Sequence, residues 1–257
     1  MKKTSTRDFI QKKGAEKIAV LTAYDAIFAR LADDAGVDAI LVGDSVGNTF
    51  MGHASTIPVR LEDMFHHVAM AARAKPKAML IADLPFAVCH YSFDRLLDAC
   101  AEFIRLGADA VKIEGGASLA EKLSRLANAG IPVMAHIGLM PQQLMKTGGY
   151  RTFAKTPEER RALVADAKTL ERAGAFSIVI EKADPLAAKE ATESVSIPTI
   201  GIGSGPHCDG QVLVSTDVLG LGDWIPAFAK KYADLRGESM RAFSGFVSEV
   251  KSGKFPE

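Results

Sequence analysis

What this chain lacks narrows its function before any motif is read. It lacks net charge: Lys+Arg and Asp+Glu each number 31 in 257 residues, so no overall field draws it to nucleic acid or anionic lipid, and a small partner is expected. It has little cysteine. Cys89, Cys100 and Cys208 are odd in number, far apart and without C-x-x-C spacing, which counts against a zinc or redox site and for reduced thiols. No uninterrupted apolar stretch approaches the roughly 18 residues of a membrane span. The basic opening MKKTSTRDFIQKKGAEK leads into no apolar h-region, so a cytoplasmic protein is expected. No G-x-G-x-x-G falls between an early strand and helix, which disfavours an open doubly wound sheet.

What is present is a βα repeat. Gly36 precedes VDAILVGD, Gly107 precedes ADAVKIE, Gly130 precedes IPVMAH and Gly174 precedes AFSIVIE. Glycine suits the left-handed residue that ends a helix, and β-branched runs alternating with helical segments call for parallel strands joined by crossovers. Strands are expected near 18–22, 39–43, 78–82, 110–114, 132–136, 176–181, 198–202 and 212–216. Eight parallel strands close most naturally into a (β/α)8 TIM barrel, which fills about 250 residues. The expectation is therefore one barrel domain over residues 1–257, with a short N-terminal helix capped by Ser5 and Asp8.

Helical periodicity covers 27–35, 61–72, 93–106 and 158–172. Leu119, Leu123 and Leu126 share one face of a further helix, with Glu121, Lys122 and Arg125 on the other. His66 and His67, on such a helix, read as packing and surface. Two connections, 45–60 and 138–157, are long for a compact domain and suit either binding loops or surface excursions.

Four apolar runs end in an acid: AILVGDS at Asp44, MLIADLP at Asp83, AVKIEGG at Glu114 and SIVIEKA at Glu181. In a barrel the carboxyl ends of the strands carry the reacting groups, and His136 falls there too. Period-2 alternation turns Lys112 the same way as Glu114. Taken singly, Asp44 reads equally as a helix cap, and Lys112 with Glu114 as a structural ion pair. Taken together, several carboxylates at one mouth repel each other unless a cation sits among them. Oxygen donors with a single histidine suit Mg2+ better than zinc. Such an ion would polarise a carboxylate-ketone pair and stabilise an enolate, Lys112 would neutralise the substrate carboxylate, and Glu181 is left for acid–base work. His136 reads either as a donor to the oxyanion or as a hydrogen-bonded core histidine. The glycines of GIGSG, 201–205, suit an anion cradle or a plain turn.

The motifs LTAYDA (21–26), LVGDSVGNT (41–49), GHASTIPV (52–59), ADLPF (82–86), VKIEGG (111–116), HIGLMPQ (136–142), GGY (148–150), IGIGSG (200–205) and DGQVLV (209–214) occur in this order. In this the chain resembles the ketopantoate hydroxymethyltransferase family, from Leu21 to about Tyr232. The resemblance implies a (β/α)8 enzyme that moves the one-carbon unit of 5,10-methylenetetrahydrofolate onto 3-methyl-2-oxobutanoate, giving 2-dehydropantoate on the way to pantothenate and coenzyme A. It implies a Mg2+ site at Asp44, Asp83 and Glu114, ketoacid binding at Asp44, Ser45, Asp83 and Lys112, a proton acceptor at Glu181, and a homodecamer.

Departures are few. Met140 stands where the family usually has Thr, and Lys182-Ala183-Asp184-Pro185 replaces a Cys or hydrophobic residue followed by Val-Pro. Two rival readings remain at this stage: a metal-dependent lyase of the isocitrate lyase and phosphoenolpyruvate mutase type, which a missing K-x-C-G-H-like loop disfavours, and a non-catalytic metabolite-binding barrel.

Overall fold

The structure, a computed structural model, describes residues 3–256. The chain falls into two compact units, residues 1–212 and 213–257. The first carries the strands β1 Ile18–Thr22, β2 Ala39–Val42, β3 Met79–Asp83, β4 Ala110–Glu114, β5 Val133–Gly138, β6 Ser177–Glu181 and β7 Thr199–Ile202; β8 Gly210–Leu213 ends at the boundary. All neighbours pair in parallel, and the eight strands close in chain order into a barrel. The helices are α1 Thr6–Gln11, α2 Ala26–Asp34, α3 Val46–Thr49, α4 Leu61–Ala72, α5 Phe93–Arg105, α6 Ala120–Asn128, α7 Leu144–Thr147, α8 Pro157–Arg172 and α9 Pro185–Glu193. The second unit holds α10 Ser215–Leu219 and α11 Leu235–Ser252.

Alternation along the strands builds two apolar layers. Ala39, Leu41, Met79, Ile81, Ala110, Met134 and Val179 fill the barrel interior, while Ile40, Val42, Leu80, Ala82, Val111, Ile113, Ile178 and Ile180 face the helices. A side-chain period of two then fixes what the last inward positions must be. They are Asp83, Lys112, Glu114, His136 and Glu181, and register sets them side by side: Asp83 lies opposite Lys112, and Glu114 opposite His136.

The N-terminal helix forms as its sequence requires. The Asp8 amide donates to Ser5 Oγ at 3.2 Å and the Ser5 amide to Asp8 Oδ2 at 2.9 Å, a reciprocal cap. Phe9 on α1 is fully buried with the interior cluster, its ring edge-on to Phe176 at 5.7 Å. Since Phe176 and Ile18 stand at the amino ends of β6 and β1, α1 stoppers the end of the barrel away from the acids.

Two differences from the sequence reading have local causes. The last strand begins at Gly210, two residues before the expected 212–216, and residues 215–219 are helical. Glycine hid that start because it is a poor strand former, yet only glycine fits: a Cβ there would run into the Ile18 carbonyl. Helix α9 lay outside the expected set. Asp184 caps it, accepting from the amides of Leu186 and Ala187 at 3.0 and 3.3 Å, with Pro185 at its first position. The Asp184-Pro185 departure from the family pattern is thus a helix start.

Candidate active site

The carboxyl ends of β2 to β6 bring the expected residues together. Asp83, Lys112, Glu114 and His136 are buried on adjacent strands, and Asp44, also buried, lies two residues beyond β2. Glu181, at the end of β6, is the most open of the acids, its side chain 16% exposed. Ser45 follows Asp44, and its Oγ lies 2.9 Å from the hydroxyl of buried Tyr24. Gly43 makes room for this arrangement, since a Cβ at that position would stand 2.9 Å from Ser45 Oγ and 3.8 Å from Asp83 Oδ2.

Lys112 does not pair with Glu114. Its Nζ donates to both oxygens of Asp83, at 2.6 and 2.7 Å. Burial opposes the lysine's charge, but Asp83, Asp44 and Glu114 outweigh it and raise the pKa above the ordinary value. Asp44 does not cap a helix. Its Oδ2 accepts from Gln142 Nε2 at 3.0 Å. Burial first, and then the charge of Asp83, holds the Asp44 carboxyl well above the usual carboxylate range, with Lys112 countering only in part.

His136 sits between two acids. Its Nδ1 is 3.5 Å from Glu114 Oε2 and its Nε2 is 3.3 Å from Glu181 Oε2, ion-pair distances at which neither nitrogen makes a well-formed hydrogen bond. Burial and the Lys112 charge push the imidazolium down, but Glu114 and Glu181 more than compensate and hold its pKa at about 9. At neutral pH this histidine is a cation. Neither ring nitrogen has the hydrogen-bond partner that a plain core histidine would show.

Several supporting residues escaped the sequence reading. Gln142 donates from its backbone to Glu114 Oε1 at 2.8 Å and from its side chain to Asp44. It stood inside the quoted HIGLMPQ motif, but no periodicity or charge singles out a glutamine on a loop. His67, expected to pack or face solvent, has its Nδ1 2.8 Å from the Tyr24 carbonyl, behind Ser45. Ser204, in the GIGSG turn, is buried; its Oγ donates to Ile180 O at 2.8 Å and accepts from the Ala183 amide at 3.0 Å. It brackets Glu181. Gly138, opposite Glu181 in the register, has φ 91°, and a Cβ there would strike the Glu181 carbonyl.

The donor chemistry suits a hard divalent ion, because Asp44, Asp83 and Glu114 are buried together and, with Lys112 on Asp83 and His136 between Glu114 and Glu181, the Asp44 charge is under-compensated. The arrangement is not yet that of a ligand shell. Among the described residues no group of three or more His, Cys, Asp or Glu side chains is set to hold a metal ion as it stands. Both oxygens of Asp83 accept from Lys112. An ion there would share the remaining lone pairs of Asp83 with the Lys112 ammonium or displace it.

A closed parallel barrel with a buried lysine, a cationic histidine and four acids at the carboxyl ends of its strands defines an α/β-barrel enzyme. The family model for ketopantoate hydroxymethyltransferase matches residues 3–257. The chain belongs to that family and is a hydroxymethyltransferase. The 3-methyl-2-oxobutanoate hydroxymethyltransferase of Caldivirga maquilingensis is 52% identical over 99% of this chain and 96% of its own length. That of Ignicoccus hospitalis is 51% identical over 100% and 98%, and that of Thermotoga maritima 52% over 95% and 91%.

Among solved structures, phosphoenolpyruvate phosphomutase from Streptomyces platensis subsp. rosaceus superposes with a TM-score of 0.64 at 14% identity, covering 97% of this chain and 88% of that one. A 2,3-dimethylmalate lyase of the PEP mutase/isocitrate lyase superfamily gives 0.61 at 16%, covering 98% and 89%. At such identities the likeness concerns the fold.

Proposed function

We propose that the enzyme transfers a hydroxymethyl unit from 5,10-methylenetetrahydrofolate to 3-methyl-2-oxobutanoate, giving 2-dehydropantoate for pantothenate and coenzyme A synthesis. The observation that carries the reading is the convergence of Asp44, Asp83, Lys112, Glu114, His136 and Glu181 on one end of the barrel. Full-length relatives at about 50% identity named for the same ketoacid support it.

In this reading Asp44, Asp83 and Glu114 hold Mg2+, which when bound polarises the substrate carbonyl and stabilises the enolate. Lys112 and the Ser45 hydroxyl, with Asp44 and Asp83 beside them, receive the α-ketoacid head group. Lys112 suits that task because a buried ammonium released from Asp83 needs another anion. Glu181 takes the C3 proton. Its position at the rim, more open than the other acids, leaves it reachable by substrate while its Oε2 stays 3.3 Å from His136 Nε2. Protonated His136 lies between Glu114 and Glu181, and a turn of its Nε2–H away from Glu181 would let it donate to negative charge developing on a substrate oxygen.

We also propose a cytoplasmic homo-oligomer, a homodecamer. Among the described residues no helix is long and apolar enough to cross a membrane, and the three cysteines are free and buried. Helix α11 exposes Met240, Phe243, Phe246, Val247 and Val250, an apolar surface of the kind subunit contacts cover. Light scattering or sedimentation decides the state, and a monomer at micromolar concentration would remove the oligomer.

The reaction is tested by following the C3 proton of 3-methyl-2-oxobutanoate by NMR in D2O without folate. Exchange that depends on Mg2+, stops with chelator and is lost in Glu181→Ala supports the scheme. Unchanged exchange in that variant removes Glu181 as the base, and no product with any one-carbon donor removes the transfer itself.

A further inference from the structure

We propose that Gln142 is the positioning residue that sets Asp44 and Glu114 as a cation-accepting pair and fastens the 138–157 connection to the barrel mouth. The proposal rests on the metal reading of the acids given above and adds a residue outside that set.

Gln142 lies on the 3-10 turn Pro141–Gln143 after β5 and is buried. All its donors are in use. The backbone amide donates to Glu114 Oε1 at 2.8 Å, and the side-chain amide to Asp44 Oδ2 at 3.0 Å and Leu84 O at 2.9 Å. One residue therefore reaches the ends of β2, β3 and β4 at once. The two side-chain protons face a carboxylate and a carbonyl, both acceptors only, so an amide NH2 is the group that satisfies both.

The chemistry differs from that at Asp83. Lys112 orients Asp83 with a full opposite charge, with which an incoming cation must compete. Gln142 orients Asp44 with a neutral donor, so the carboxylate is fixed in direction and keeps its charge for an incoming ion. The turn has a second consequence. The 138–157 connection is stitched to the end of β6 at both its ends: the Leu139 amide donates to Glu181 O at 2.7 Å, the Phe153 amide to Lys182 O at 2.8 Å, and the Asp184 amide to Phe153 O at 2.8 Å. Gln142 ties the same connection to the opposite side of the mouth. Between these ties, Lys146 and Arg151 are exposed.

The test uses full-length protein and Gln142→Met, which keeps the volume and the backbone donor to Glu114 and removes the side-chain amide; Gln142→Glu, nearly isosteric, sets a like charge against Asp44. Mn2+ binding, read by electron paramagnetic resonance without ketoacid or folate, should weaken by about 10- to 100-fold in both, the range for residues that orient metal ligands. Trypsin should cut after Lys146 and Arg151 faster than in wild type. At saturating Mg2+, C3-proton exchange in Gln142→Met should return toward the wild-type rate, a recovery that general misfolding would not allow. Asp83→Asn serves as the control that loses the ion outright.

Wild-type binding with both variants binding as tightly, and tryptic rates unchanged, overturns the role of Gln142 alone. A wild-type protein that binds no Mn2+ overturns the metal reading, and with it the cation half of this proposal, while the tryptic rates still judge the tether. If Gln142→Met does not fold, Gln142→Glu carries both measurements.

Discussion

Lys112 and Asp83 face each other across β4 and β3, and the Lys112 Nζ reaches both oxygens of Asp83, at 2.6 and 2.7 Å. The pair is buried on both sides, with side chains 6% and 2% exposed. Solvent therefore neither screens it nor replaces a lost partner.

Lys112→Met keeps most of the stem and removes the charge. It leaves Asp83 uncompensated beside Asp44 and Glu114, and breaking a buried pair in this way costs about 3–5 kcal/mol. Urea unfolding of metal-free protein should show that loss. Added Mg2+ should recover more stability in the variant than in wild type, because the ion then fills an empty counter-charge instead of displacing one. A loss below about 1 kcal/mol would class the pair with solvent-screened surface bridges.

Asp44 gives the opposite sign. Its carboxyl titrates well above 3.8 because burial and then Asp83 disfavour its ionised form. A folded-state pKa above the unfolded one contributes stability that is fully present below the unfolded value and is lost as pH rises through the folded value. Raising the pH through that folded-state value therefore destabilises the metal-free protein, because ionising Asp44 is disfavoured in its buried site. Asp44→Asn should melt higher than wild type in chelator at pH 7.5, by about 2–4 °C for each kcal/mol relieved, and should gain nothing from Mg2+. A variant that melts lower without metal would show that the Asp44 charge is already compensated.

How much was legible in the sequence follows from what each residue's role depends on. Lys112 and Glu114 share a face through a two-residue period, and Asp44, Asp83 and Glu181 announce themselves as charges at the ends of apolar runs, so strand ends and acids are both local signals. Their partners are not local. Whether Lys112 meets Glu114 or Asp83 depends on strand register, and the register puts Asp83 opposite it. Gln142 and Ser204 act through hydrogen bonds to residues on other elements, 98 and 21 to 24 positions away, and an uncharged polar side chain on a loop carries no periodicity to read. Gly210 shows the converse, a strand start concealed by the residue that makes its packing possible.

His136 offers a pH dependence of its own. Its imidazole titrates near 9 against 6.5 for the free group, because Glu114 and Glu181 overcome burial and the Lys112 charge. The raised value means that its stabilising contribution is complete below about pH 6.5 and disappears as pH rises through about 9. The difference in unfolding free energy between wild type and His136→Asn should therefore be largest at pH 6 and shrink by pH 10. NMR of the metal-free protein should show the ring half-titrated near pH 9, and a midpoint below 7 would make His136 a neutral donor.

Ser204 tests how Glu181 is held. Its hydroxyl donates to the carbonyl of Ile180 and accepts from the amide of Ala183, so it clamps the backbone on both sides of the proposed base. The clamp matters because Lys182 between them turns to φ 46°, a conformation that non-glycine residues hold only when their surroundings enforce it. Ser204→Ala leaves a buried amide without its partner, which costs about 1–3 kcal/mol. If the clamp serves only folding, chemical stability falls and C3-proton exchange does not. We expect both to fall while Mn2+ affinity stays at the wild-type value, since none of the three acids of the ion site lies on β6. A variant in which exchange is unchanged would make Ser204 a residue of the fold alone, and one in which Mn2+ binding falls as well would place the ion closer to Glu181 than the Asp44, Asp83 and Glu114 set allows.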